Sequence, residues 1–80
     1  MTEPRLAYAD TAFLQETLEM RMPFGKYEGD TLMQLPMAYL EWFARQGFPN
    51  SRLGKMLATV YEIKLNGLEH VVRPLLENRR

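Results

Sequence analysis

Proline and glycine divide this chain into short segments, and the division limits the folds that it can adopt. Pro23, Gly25 and Gly29 interrupt the chain before its middle, and Gly47 and Pro49 interrupt it again further on. Proline cannot donate a backbone hydrogen bond inside a helix, and glycine favours turns because it accepts a positive φ. The intervening segments therefore suit short elements joined by tight turns.

The size of the chain predicts one small domain. It has 80 residues, and a domain of this size buries only about 60% of the surface of its unfolded chain. It has no cysteine, which excludes a disulfide scaffold, a thiolate metal site and a cysteine nucleophile. We expect a single domain over residues 1–80, with a flexible arm at residues 1–9 and a flexible tail at residues 77–80.

The charge balance bears on location and partners. Ten Lys and Arg offset ten Asp and Glu, so the large positive excess of many nucleic-acid and membrane-surface proteins is absent. Glu3 and Pro4 precede any apolar run, which is unlike a signal peptide, and no segment approaches the roughly 20 apolar residues of a membrane span. We expect a cytoplasmic protein that does not contact a membrane.

Apolar residues at helical spacing predict four short helices. Asp10 is suited to cap the first, Pro36 to occupy the first turn of the second, and either Asn50 or Ser51 to cap the third. Gly47 and Gly67 each follow a helical run and precede an apolar residue, so both should end a helix with positive φ. The predicted helices cover about residues 10–19, 36–46, 51–66 and 68–76.

In two of these helices the spacing of apolar residues predicts which face is buried. The third carries one apolar stripe: Leu53, Met56, Leu57, Val60 and Ile63. On the second, Leu40 and Phe43 share a face, and Tyr39 and Trp42 lie on the adjacent one. Either another part of the chain or a partner must cover that adjacent face, and we expect the segment before it to do so.

That segment, at about residues 22–33, alternates loosely between apolar and polar residues. Alternation with a turn near Gly29 predicts two short strands, with Phe24 buried and Lys26 pointing outward. A hairpin needs further packing to be stable, so it should lie on the helices. The predicted fold class is α+β and mostly helical, with three to four short helices packed around this two-stranded β-hairpin.

Basic and aromatic residues in the central stretch are candidates for contact with nucleic acid. The set comprises Lys26, Tyr27, Arg45, Arg52 and Lys55. Tyr39 and Trp42 could stack on bases, as aromatic residues do in proteins that bind single strands. They could instead form a surface for a protein partner. The alternatives are a solvated basic face and rings that belong to the core. Gly25 and Lys26 could also contact an anion, although a structural turn is the simpler interpretation.

The sequence predicts no catalytic residue, no metal ligands and no cofactor. The single histidine, His70, lies in an apolar stretch where a packed side chain is expected, and Ser51 is placed to cap a helix. We therefore do not expect an enzyme.

The motif that begins at Met22 resembles a known family. It reads MPFGKYEG at residues 22–29 and is followed by Leu32, Leu35-Pro36, Tyr39-Leu40 and Trp42-Phe43. Over about residues 20–75 the chain resembles a small bacterial family labelled "putative quorum-sensing-regulated virulence factor". Over about residues 22–43 it is also similar to C-terminal segments of DnaQ-like exonucleases such as exodeoxyribonuclease X.

These resemblances imply regulation and binding rather than chemistry. The family label implies regulated expression, and the exonuclease likeness implies an accessory module that contacts nucleic acid. We expect a non-enzymatic binding module with weak affinity for nucleic acid. The alternative is a protein-interaction or homodimer module linked to virulence or quorum-sensing regulation.

Overall fold

The computed structural model describes residues 11–77, and the side chains of residues 12–74. The elements are α1 (Thr11–Glu19), a 3₁₀-helix (Leu32–Gln34), α2 (Met37–Gln46), α3 (Arg52–Leu65) and α4 (Glu69–Glu77). Asp10, the predicted arm at residues 1–9 and residues 78–80 of the predicted tail lie outside the described residues. The four helices stand where the sequence places them, to within one or two residues at the described ends.

The helix ends follow local rules. At the start of α3 the Ser51 Oγ accepts a hydrogen bond from the Gly54 N–H at 3.1 Å. At its end the Gly67 N–H donates to the Lys64 carbonyl and the Leu68 N–H donates to the Ile63 carbonyl, at 3.1 and 2.9 Å. These two bonds satisfy carbonyls that the helix itself leaves unpaired. Gly67 has φ 66° and Gly47 has φ 98°, so the predicted positive φ is confirmed at both.

Helix α3 lies at the centre of the fold. It packs against α1, against α2 and against the 3₁₀-helix, and α1 also packs against α4. The predicted stripe of α3 is buried except at Leu53, which is only partly covered. The main core cluster comprises Met22, Leu32, Leu35, Leu40, Phe43, Met56, Leu57 and Val60. A second cluster, towards α4, comprises Leu18, Ile63 and Val72.

The predicted β-hairpin is wrong. No strand forms within residues 11–77, and Arg21 and Thr31 make a single isolated antiparallel bridge. Gly25 and Gly29 adopt φ values of 81° and 94°, so the backbone turns repeatedly where strands would have to extend. The expected return strand is replaced by the 3₁₀-helix, next to which the Thr31 N–H donates to the Gln34 Oε1 at 2.9 Å. The α+β class is therefore incorrect, because the described part of the chain is built from helices and loops.

Candidate interaction surface on the glycine loop and α2

Residues 22–30 form a closed loop, called here the glycine loop. The Met22 N–H donates to the Asp30 carbonyl, and the Gly29 N–H donates to the Met22 carbonyl, both at 2.8 Å. The Arg21 Nη1 also donates to the Gly29 carbonyl at 2.7 Å. The Met22 side chain is only 1% exposed and anchors the base of the loop in the core. The loop therefore presents its outer side chains from a backbone that is tied down at its base.

Two of those outer side chains are Phe24 and Lys26. Phe24 is 49% exposed, so the prediction that it is buried is wrong. Its neighbours do not continue an extended strand, and alternation across a sheet does not apply. Lys26 is exposed, as predicted, and its Nζ lies 5.6 Å from the centre of the Tyr27 ring. At that distance the ammonium group interacts favourably with the face of the ring.

The loop lies on α2 through a pair of tyrosines. The ring centres of Tyr27 and Tyr39 are 4.7 Å apart, and Tyr39 in turn makes a T-shaped contact with Phe43, with ring centres 5.2 Å apart. A Cβ built on Gly25 would stand 3.7 Å from the Tyr39 hydroxyl oxygen, so the loop backbone passes close to that side chain. Both tyrosines are half-buried, and they support the loop from beneath.

The loop covers Tyr39 but leaves Trp42 half open. Trp42 is 47% exposed. The centre of its ring lies 5.2 Å from the centre of the Phe43 ring, and the two ring planes make an angle of 76°. This edge-to-face contact fixes the indole against the core. Arg45 is exposed and lies three residues further along α2, where helical spacing brings it beside Trp42. We call the exposed set Phe24, Lys26, Trp42 and Arg45 the loop–α2 surface.

Arg52 lies in a different environment. Its Nε donates to the Glu16 Oε2 at 3.2 Å, and its Nη2 donates to the Glu16 Oε1. The guanidinium carbon also stands 5.1 Å from the centre of the Phe13 ring. These hydrogen bonds, with the charge of Arg52, hold the pKa of the Glu16 carboxyl below its ordinary value. Arg52 therefore ties α3 to α1.

Lys55 follows Arg52 by three residues and is exposed on α3. The contacts of the described residues thus join Lys26, Tyr27 and Tyr39, and helical spacing adds Trp42 and Arg45 to the same region. Arg52 is engaged with α1 instead. The proposed contact of all these residues with nucleic acid stays a prediction.

Three residues whose positions or contacts are described above were not singled out as site candidates by the sequence. Phe24 lies between Pro23 and Gly25, a setting that disfavours a regular strand and could have signalled exposure. Arg21 and Glu16 gave no such signal, because their contacts depend on how separate segments pack.

Residues 11–77 contain neither a metal-binding cluster nor a membrane-spanning helix. No three His, Cys, Asp or Glu side chains in that range are grouped so that they could hold a metal ion. None of the helices there combines the length and the apolar character needed to cross a bilayer.

Comparison with known proteins identifies the family of this chain. The chain is 49% identical over 55 residues to "Uncharacterized protein YpeB" of Escherichia coli strain K12, a match that covers 68% of this chain and 76% of that protein. The protein of the same name from Escherichia coli O157:H7 matches to the same extent. No solved structure matches the chain. The similarity to exonuclease segments is not shown by these matches. The family model described as "Putative quorum-sensing-regulated virulence factor" matches residues 10–75, and the chain therefore belongs to that family.

Proposed function

We propose that this protein is a non-enzymatic binding module that contacts nucleic acid through the loop–α2 surface. The observation that carries the proposal is the exposure of two large rings, Phe24 and Trp42, at 49% and 47%. Each has a cation close to it in the chain, Lys26 or Arg45. Aromatic rings bind bases by stacking, and cations neutralise phosphates. Rings and fixed cations bind a ligand without transferring protons, so we propose no catalytic activity.

The surrounding charges limit the expected affinity. Glu28 and Asp30 on the loop and Glu41 on α2 are exposed near the two cations, and the whole chain has zero net charge. Few phosphates can be neutralised by such a surface, and each neutralised phosphate contributes to affinity through release of counterions. We expect binding in the micromolar range or weaker, and we place the protein in the cytoplasm, where nucleic acid is available.

The same rings favour one second candidate, a protein partner or a second copy of the chain. Exposed aromatic side chains are enriched at the centres of protein interfaces, where a few of them supply most of the binding energy. Association through apolar surface depends little on salt, whereas binding to nucleic acid weakens steeply as salt rises. The salt dependence therefore separates the two candidates.

The test is fluorescence polarisation with labelled single-stranded and duplex oligonucleotides at about 50 mM salt. Lys26→Glu combined with Arg45→Glu should weaken binding, because both cations belong to the loop–α2 surface. Arg73→Glu is the matched control, since this arginine is also exposed but lies on α4 and is not a candidate contact. Circular dichroism would verify that each variant is folded.

Two results would contradict the proposal. One is a parent protein that binds neither oligonucleotide at low salt. The other is a doubly reversed protein that binds as tightly as the parent. Either result would leave the protein-interaction module as the better account.

A further inference from the structure

We infer that the nucleic acid bound by the loop–α2 surface is single-stranded, with unpaired bases stacked on Trp42 and Phe24. This inference rests on the proposed function and specifies its ligand. In a duplex each base is stacked between its neighbours and paired on its edge, so its face is closed to a protein ring. Only an unpaired strand offers base faces to the two exposed rings.

The charges of the loop–α2 surface also favour a single strand over a duplex. A protein that binds duplex DNA draws most of its affinity from phosphate contacts, and duplex DNA carries about one charge per 1.7 Å of its axis. The loop–α2 surface offers Lys26 and Arg45, with Glu28, Asp30 and Glu41 exposed close by. The two strands of a duplex would bring their dense phosphates towards these carboxylates. A single strand has a lower charge density and a flexible backbone that can avoid them.

The Trp42 ring and the loop that carries Phe24 are held in place before any ligand arrives. Trp42 is fixed by its edge-to-face contact with Phe43 at 5.2 Å, and Phe24 projects from a loop that is closed at its base. Tyr39 connects them, because it lies one helical turn before Trp42 and its hydroxyl faces Gly25, the neighbour of Phe24. Tyr39 therefore links the loop that carries Phe24 to the helix that carries Trp42. A surface that is already ordered loses less entropy when it binds a flexible strand.

This mode of binding has a characteristic salt dependence. With two cations in contact with a single strand, the slope of log K against log salt should be about −1.4, since each neutralised phosphate contributes about −0.7. Stacking contributes affinity that does not depend on counterions. A measurable part of the binding should therefore persist at salt concentrations that abolish a purely ionic contact.

The experiment compares three labelled probes of equal length by fluorescence polarisation: an oligothymidine strand, a strand with the same backbone but abasic sites, and a duplex. The oligothymidine should bind more tightly than either of the others. Trp42→Ala and Phe24→Ala should each weaken its binding roughly 5- to 150-fold, the range found when a stacking ring is removed. Leu65→Ala is the matched control, because Leu65 is similarly exposed at 55% but lies at the end of α3.

Tryptophan fluorescence supplies a second, independent readout. Trp42 is the single tryptophan of the chain, so its emission reports on this site alone. Oligothymidine should quench it, and the abasic strand should not. Because both rings are about half exposed, the alanine variants should remain folded, which thermal unfolding would verify.

The outcomes separate this inference from the function on which it rests. Equal affinity for the oligothymidine and the abasic strand, with unquenched Trp42, would overturn base stacking but leave a phosphate contact standing. Tighter binding of the duplex would also overturn it and still support contact with nucleic acid. Failure of all three probes to bind would overturn the proposed function itself.

Discussion

The backbone of Gly54 lies so close to the Pro49 carbonyl that no side chain fits between them. A Cβ built on Gly54 would stand 1.8 Å from the Pro49 oxygen and 2.7 Å from its carbonyl carbon. Gly54 lies in the first turn of α3, where its N–H also donates to the Ser51 Oγ at 3.1 Å. The connection from α2 therefore passes directly over α3 at a position where only hydrogen fits on the α-carbon.

Gly54→Ala should destabilise the protein. Alanine favours helix over glycine by about 1 kcal/mol, but here its methyl group would have to displace backbone atoms of Pro49. We expect a net loss of about 1–3 kcal/mol in the free energy of unfolding, typical of an overpacked site. Urea denaturation measures it, with Lys55→Ala as the exposed control on the same helix. A Gly54→Ala protein as stable as the parent would contradict the described packing.

Gly47 and Gly67 should respond differently to asparagine. Gly67 has φ 66°, close to the left-handed helical region that asparagine also adopts, whereas Gly47 combines φ 98° with ψ 122°. Alanine at Gly67 should cost about 1 kcal/mol, and asparagine there should cost less. At Gly47 both substitutions should cost about 1–3 kcal/mol, since that backbone region suits glycine alone. Thermal unfolding of the four variants checks this, and equal rescue by asparagine at both positions would count against it.

Phe24 and Met22 should differ sharply in their contribution to stability. Met22 is 1% exposed and anchors the glycine loop, so Met22→Ala should cost about 2–5 kcal/mol. Phe24 leaves about half of its surface in water, so Phe24→Ala should cost no more than about 1 kcal/mol. Denaturation of both variants under the same conditions makes the comparison. A larger loss for Phe24→Ala would show that this ring belongs to the core.

The pKa of Glu16 should reveal its contact with Arg52. The hydrogen bonds and charge of Arg52 hold that pKa below the ordinary value of 4.5. A carboxyl whose pKa is lowered by folding adds stability above its unfolded pKa, and this contribution disappears as the pH falls through the folded value. The effect should be small, because both side chains are exposed and screened by solvent.

Side-chain NMR titration measures the Glu16 pKa directly. Arg52→Gln should return it towards 4.5, and Lys55→Gln, one turn away, should leave it lowered. Titration of Glu16 at 4.5 in the parent would mean that the ion pair does not persist in solution.

The helices could be predicted because their signals are local. Ser51 and Gly67 define the ends of α3 through hydrogen bonds to residues three to five positions away, and the apolar spacing of α3 faces the core as expected. The face of α2 that contains Leu40 and Phe43 is buried for the same reason. Such features depend on nearby residues that the sequence displays directly.

The glycine loop could not be predicted from alternation alone. Phe24 alternates with its neighbours as a strand residue would, but the positive φ of Gly25 and the bonds between Met22, Gly29 and Asp30 close the segment into a loop. Those bonds join backbone atoms, so the order of side chains along the sequence does not reveal them.

The grouping of the candidate residues could not be predicted from the sequence either. Arg52 and Glu16 are 36 positions apart, and nothing in their local sequence indicates that they pair. The division of the basic residues between the loop–α2 surface and the α1–α3 contact follows from the way the helices pack.

The closure of the glycine loop separates its shape from the identity of its outermost side chains. Apart from the Arg21 guanidinium, the groups that close it are main-chain N–H and carbonyl groups, which every residue except proline supplies in full. Substitutions at positions 24, 26 and 28 should therefore change the exposed side chains of the loop while the fold of the loop and helices stays the same. A small library that varies these three positions would therefore leave intact the main-chain hydrogen bonds that hold the loop closed.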